Sequence, residues 1–250
     1  MPTPTPLFLV GVGRSGTTAL ADVFAEHPQV VMGMERFKLL WSERIGEMTP
    51  ALFEEERFFD FADGLTNIRP DVDPRWDRLY ERQRAKWGNA RYVGDKMTKA
   101  RIDPLWEQLP DARFVCIVRS AEDVAASWDT RANRASDVNW PERLNSERAI
   151  QAWNTNNTRI RRAARQRPDQ AIVVEYTSVF GDPEATSLRR VLDWLGLDFA
   201  PEIEAAFASA HELYVTRIVG KERTLTPEAK ALVEEKVSPN LWKHLLKLAV

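Results

Sequence analysis

Apolar residues concentrate in four short runs, at about 7–12, 29–33, 113–118 and 171–176. Runs of this length bounded by turn residues predict strands buried on both faces. Between them lie stretches with helical character. The first follows a glycine-rich turn and ends at His27-Pro28, and the others cover Glu122 to Trp128, 142–167 closed by Pro168, and Leu188 to Leu195. Thr226-Pro227-Glu228 is a strong start for one more helix, with threonine as cap and proline at the first helical position. Tyr92-Val93 predicts a further short strand leading into Gly94-Asp95-Lys96. Strands alternating with helices predict an α/β fold, a central parallel sheet covered by helices on both faces. The sequence has no internal repeat.

Composition narrows the class. With 250 residues, 44% of them hydrophobic, the chain is long enough for one substantial core, and nothing reads as an interdomain linker; one domain over 1–250 is expected. A formal net charge of −2 gives no global field to draw nucleic acid or an anionic membrane, while 35 Lys+Arg leave room for local cationic pockets. Cys116 is the single cysteine, which excludes an internal disulfide and a cysteine-cluster metal site and fits a reducing, cytoplasmic location. The start of the chain lacks the charged and apolar regions of a signal peptide, and no membrane span is expected. His27, His211 and His244 share no ligand spacing, so they are expected at the surface or at helix ends and no metal is assigned.

The chemistry begins where the first strand ends. Gly11-Val12-Gly13-Arg14-Ser15-Gly16-Thr17-Thr18 places glycines, an arginine and hydroxyls at a helix start. Backbone N–H groups in such a turn cradle anionic oxygens. Gly11 to Gly16 has the spacing of a nucleotide triphosphate loop, but Thr17 stands where that loop requires lysine. The same residues also match the glycine pattern of a dinucleotide fingerprint, with Glu35 lying 19 residues past Gly16. Taken alone, the loop admits a nucleoside triphosphate, a dinucleotide or another phosphorylated nucleotide.

A second anion site is predicted after the 113–118 run. Arg119 leaves that strand, Ser120 and Asp123 have capping-box spacing, and Ser127 falls two turns later on roughly the face of Ser120. A kinase-like enzyme would also need a magnesium-holding aspartate that the sequence does not identify, and a dinucleotide site leaves this second anion site unexplained.

These two segments resemble those of sulfotransferases that use 3'-phosphoadenosine 5'-phosphosulfate (PAPS). Arg14-Ser15-Gly16-Thr17-Thr18 resembles the family's 5'-phosphosulfate loop, and Val118 to Trp128 resembles its 3'-phosphate segment, in which the arginine and serine bind that phosphate. The likeness continues in Gly94-Asp95-Lys96, in Glu175-Tyr176 and in Asp182-Pro183-Glu184 before a helix, and leaves residues 42–90 uncovered. It implies PAPS as donor, adenosine 3',5'-bisphosphate (PAP) as product, no obligatory metal, and a hydroxyl or amine acceptor on a carbohydrate, lipid or small metabolite. It also implies donor contacts from Arg14, Ser15, Gly16, Thr17, Thr18, Arg119 and Ser127, with Tyr176 near the adenine and Lys221 and Arg223 reaching the 3'-phosphate from a late loop. Arg14 stands where many members carry lysine, and as a fixed cationic fork it is expected at the phosphosulfate. Arg113, at the start of its strand, is expected to be structural.

An acceptor hydroxyl needs a general base. Members with a catalytic histidine carry it two residues after the central lysine, but Lys96 is followed here by Met97 and Thr98. The resemblance to bacterial and carbohydrate-type members points instead to Glu35, with partial burial expected to raise its pKa. The competing expectation is that Glu35 pairs with Arg36 or Lys38, or holds a ribose. Lys96 is expected to stabilise the sulfonate or the leaving oxygen, the alternative being a surface pair with Asp95. Residues 57–91, rich in arginine and aromatics, are expected either to form part of an acceptor lid within about 42–91 or, over Trp76 to Tyr80, to pack on the domain as an amphipathic helix.

Overall fold

The computed structural model describes residues 3–134, 137, 140–220 and 225–250. Lys221 and Arg223 lie outside the described residues. The first half of the chain forms β1 (Thr5–Val10), α1 (Thr17–Glu26), β2 (Val30–Met34), α2 (Lys38–Glu43), α3 (Glu55–Phe58), α4 (Pro74–Ala85), β3 (Tyr92–Met97) and α5 (Ile102–Gln108). Next come β4 (Arg113–Val118), α6 (Ala121–Ala132), α7 (Ser146–Gln166), β5 (Ala171–Glu175) and α8 (Tyr176–Phe180). The chain closes with α9 (Thr186–Leu195), α10 (Pro201–Arg217), α11 (Pro227–Lys236) and α12 (Pro239–Leu248).

The five strands form one parallel sheet in the order β2-β3-β1-β4-β5. All of β2, β3 and β5 is buried, as is β1 from Leu7 onward, so the apolar runs are those of strands covered on both faces. The order also explains the covering. The β1-to-β2 connection moves one way along the sheet and the next three connections move the other way, so right-handed crossovers send helices to opposite faces. The direction changes between β1 and β4, and a crevice at such a point is where open parallel sheets bind ligands.

The run at 113–118 coincides with β4, whereas the first strand sits two residues earlier than expected because Gly11-Val12 already belongs to the turn. β3 reaches Met97, longer than its apolar start suggests, and its polar residues Asp95 and Lys96 are buried. The long helix begins at Ser146 rather than 142, where the Asn145 side chain accepts the Arg148 N–H at 3.4 Å and caps it.

Trp76 to Tyr80 lies inside α4, and that helix packs against the edge strand β2. The Met32 N–H donates to Gln83 Oε1 at 2.9 Å and the Met34 N–H to Tyr80 Oη at 3.0 Å. Side chains thus satisfy an edge that would otherwise present open donors. Arg113 is structural: it donates to the Trp194 carbonyl at 3.0 Å and stacks on that ring. His27 closes α1 and is buried, its Nδ1 accepting from the Gln29 N–H and its Nε2 bonded to the Asp198 carbonyl. Burial lowers its pKa and favours the neutral ring.

Candidate active site

The turn after β1 is shaped by close approach. A Cβ on Gly11 would lie 2.6 Å from the Ile117 carbonyl oxygen, and one on Gly16 2.4 Å from the Tyr176 ring. Gly16 also has φ +94, a conformation that side chains disfavour, and Arg14 adopts φ +77. No side chain of the described residues caps the start of α1, which leaves its first N–H groups directed at the crevice. Ser15 and Thr17 are buried, while Arg14 and Thr18 are exposed. Arg14, Gly16, Thr17, Thr18, Arg119 and Tyr176 line a pocket of about 230 Å³.

The exit of β4 forms the opposite wall. Ser120 caps α6 by accepting the Asp123 N–H at 3.1 Å, as its spacing predicts. Arg119, 4% exposed, stacks 4.1 Å above the Tyr176 ring, donates to Asp123 Oδ2 at 3.3 Å and to the Arg14 carbonyl at 3.4 Å. Two more bonds tie α6 to the β1 loop: Arg14 Nε donates to Ser127 Oγ at 3.2 Å and Trp128 Nε1 to the Gly13 carbonyl at 2.9 Å. The Arg14 guanidinium is therefore drawn to Ser127, on the α6 side of the loop.

Beyond Ser127 opens a cleft of about 520 Å³ lined by Arg14, Ser127, Thr130, Arg131, Arg134 and Arg217, with Asp137 at its wall. Arg131 is bonded to Asp137 at 2.5 and 2.7 Å and stacks on Trp140. Sequence reading missed these arginines. Arg131 and Arg134 follow Ser127 at helical spacings of four and seven, a signal that was present; Arg217 arrives from α10 and had none. On the other side of Tyr176, Ala19, Val23, Phe180, Ala210, Leu213 and Ile218 help to line an apolar cavity of about 390 Å³.

The ends of β2 and β3 carry the remaining groups. Register pairs Met34 with Lys96, so Glu35 is one step beyond the lysine's partner. Lys96 Nζ donates to Glu35 Oε1 at 2.6 Å and Lys38 Nζ lies 2.9 Å from Glu35 Oε2. Glu35 does pair with Lys38, but with Lys96 as well and not with Arg36. Burial resists its ionisation, yet the two ammonium groups outweigh it and hold the carboxyl below its ordinary range, which corrects the expected upward shift. The surface pair of Asp95 and Lys96 is also corrected: Asp95 is fully buried and the lysine turns to Glu35. Near this pair Lys38, Leu39, Ser42, Leu65, Thr66 and Asn67 line a pocket of about 270 Å³, and Thr66 Oγ1 donates to the Glu35 carbonyl at 2.8 Å.

Among the described residues no group of three or more His, Cys, Asp or Glu is placed to hold a metal ion, and no helix is long and apolar enough to cross a membrane. Cys116 is buried in β4, where burial pushes its thiol pKa up and leaves it unreactive.

Solved structures share this fold. Mouse sulfotransferase SULT7A1, complexed with PAP, aligns over 99% of this chain and 88% of its own with a TM-score of 0.56 and 11% identity. The sulfotransferase domain from the curacin biosynthetic pathway covers 94% of this chain and 98% of its own, with a TM-score of 0.52 and 17% identity. Sulfotransferase STF9 from Mycobacterium avium covers 94% and 76%, with a TM-score of 0.51 and 16% identity. A search of curated proteins returns no match. The model of the sulfotransferase family matches residues 6–201, most of the chain and every strand-end segment described above, and the protein belongs to that family.

Proposed function

We propose that this sulfotransferase moves a sulfuryl group from PAPS to a hydroxyl or amine of a small-molecule or glycan acceptor. One observation carries the reading: the β1 loop and the β4 exit join through Arg14, Ser127 and Arg119 into one cationic crevice, with Glu35 and Lys96 paired at the neighbouring strand ends. Two anionic ends of one donor require two such sites.

In this reading the N–H groups and hydroxyls of Gly16, Thr17 and Thr18, with Ser15 bracing the turn, hold the 5'-phosphosulfate. Arg119 and Ser127 hold the 3'-phosphate, Arg14 reaches from the phosphosulfate loop towards it and so serves both ends, and Lys221 and Arg223 are further cationic contacts to it. The adenine rests against Tyr176 and the apolar cavity beside it. The acceptor enters by Glu35, next to the pocket of Lys38, Ser42 and Thr66.

Transfer breaks the bond between sulfur and the phosphate oxygen and forms one between sulfur and the acceptor oxygen or nitrogen. Lys96 leaves Glu35 for the developing charge on the phosphate oxygen, which removes the nearer cation from the carboxylate as a base is needed. Glu35 then takes the acceptor proton and PAP departs. The donor side is tested by calorimetry without divalent metal: PAP should bind much more tightly than ADP or NAD. Equal affinity for ADP would remove the 3'-phosphate site, and with it the distinction from a kinase-like or dinucleotide-binding protein. Label transfer from PAPS across glycans, lipids, phenols and small metabolites identifies the acceptor.

A further inference from the structure

Asp95 and Lys96 are neighbours in β3, so their side chains leave the strand on opposite faces. Lys96 meets the Glu35 carboxylate, and Asp95 meets the backbone that follows it. Asp95 Oδ1 accepts the Arg36 N–H at 2.8 Å and the Lys96 N–H at 3.0 Å. Its Oδ2 accepts the Phe37 N–H at 3.0 Å and Trp41 Nε1 at 3.2 Å. A carboxylate is the one side chain that accepts on both oxygens from four such donors, and those partners offset part of the cost of full burial.

What these bonds hold is unfavourable by itself. Glu35 sits at φ +61, a left-handed conformation that brings Cβ too close to the following carbonyl oxygen and is disfavoured for any residue but glycine. Asp95 grips the next two amides and keeps that turn closed. Gly33 makes the room: a Cβ there would lie 3.0 Å from Asp95 Oδ1 and 2.9 Å from Arg36 Cβ. Arg36 is wholly buried beneath the turn and donates to the carbonyls of Phe58, Arg57 and Asp60 and to the Asp63 carboxylate, so the segment after Glu35 is fixed at both backbone and side chain.

We propose that Asp95 is a positioning residue for the transfer reaction, acting through Glu35 by fixing the strained turn that aims its carboxylate. This rests on the reading of Glu35 as the base. It adds a role for the residue before the central lysine, and divides Asp95-Lys96 into one group that holds the base's backbone and one that holds its charge.

The test is a double-mutant cycle with Asp95→Asn and Glu35→Gln, reading kcat, the KM for PAPS and PAP affinity. Asp95→Asn should lower kcat by roughly a hundredfold, the scale of a misplaced reacting group, with PAP affinity unchanged. In the Glu35→Gln background the same substitution should leave kcat where it was, because nothing remains to be positioned. Equal fold losses in both backgrounds, or a parallel loss of PAP affinity, would overturn the proposal while leaving Glu35 as base. Wild-type turnover in Glu35→Gln alone would overturn both. Should Asp95→Asn fail to fold, Gly33→Ala, which crowds Asp95 Oδ1 without removing it, takes its place in the same cycle and is judged by the same outcomes.

Discussion

Arg14 Nε donates to Ser127 Oγ at 3.2 Å, joining the β1 loop to α6 across 113 positions of sequence. The bond places the arginine of the phosphosulfate loop beside the serine assigned to the 3'-phosphate, and both line the cleft that Arg131, Arg134 and Arg217 continue. In the proposed reading an arginine in that place serves both ends of the donor, whereas its sequence context suggests only one.

Arg14→Ala should therefore weaken PAP, which lacks the sulfonate, by about 1.5–3 kcal/mol, the scale of a hydrogen bond to a charged group. Calorimetry checks it. If PAP affinity is intact and only turnover falls, the guanidinium acts solely at the phosphosulfate. Arg14→Ala and Ser127→Ala together should cost less than the sum of the two, since they share a bond.

Arg119→Ala should also lose about 1.5–3 kcal/mol of PAP binding, roughly tenfold to a hundredfold in Kd. Arg119→Lys should restore only part of it. A planar guanidinium stacks on Tyr176 and pairs with Asp123 together, which an ammonium point charge does not reproduce. Full recovery with lysine would show that charge alone matters at this position.

Glu35→Gln should keep PAP affinity and lower kcat by about a hundredfold or more, the scale of losing a positioned general base. Glutamine keeps the size of the side chain and one acceptor oxygen but takes no proton. Near-normal turnover would move the search to another carboxylate or to an acceptor acidic enough to need no base.

Asp95 gives a pH signature in stability. Burial pushes its pKa from 3.8 up to about 6, against the pull of the amides it accepts. The folded chain thus holds a proton there at pH values where the unfolded chain has lost it. The stability this contributes is complete below pH 3.8, declines as pH rises towards about 6, and is absent above. Urea midpoints from pH 4 to 7 should show that decline in the wild type relative to Asp95→Asn. Asp22, likewise pushed up to about 6 by burial, contributes equally to both proteins and cancels in the difference. Parallel curves would mean that Asp95 titrates at its ordinary value.

Much of the fold was legible because its signals are local. The β4 run is apolar at nearly every position and is bounded by turns, and Ser120 and Asp123 stand at the spacing a cap needs. β3 was legible only at Tyr92-Val93, since polar residues in a strand carry no hydrophobic pattern; their burial follows from covering by neighbours remote in sequence. The insertion was ambiguous for a related reason. Trp76 to Tyr80 has the pattern of a packed helix, but that its partner is the open edge of β2 depends on the order of the strands.

By itself the sequence determined the α/β class, the glycine turn, and the strand exits that carry Arg14, Glu35 and Arg119, because periodicity, caps and turn chemistry act over a few residues; Lys96, expected on a loop after a short strand, lies within β3. Only the tertiary structure decided which charges meet: Lys96 with Glu35, Arg14 with Ser127, Arg36 with the segment at 57–63, and Asp95 with the amides beyond Glu35. Those meetings follow from strand order and register, which bring together side chains dozens of positions apart. They also set the direction of the Glu35 pKa, since burial alone raises it and two lysines supplied by β3 and α2 reverse the sign.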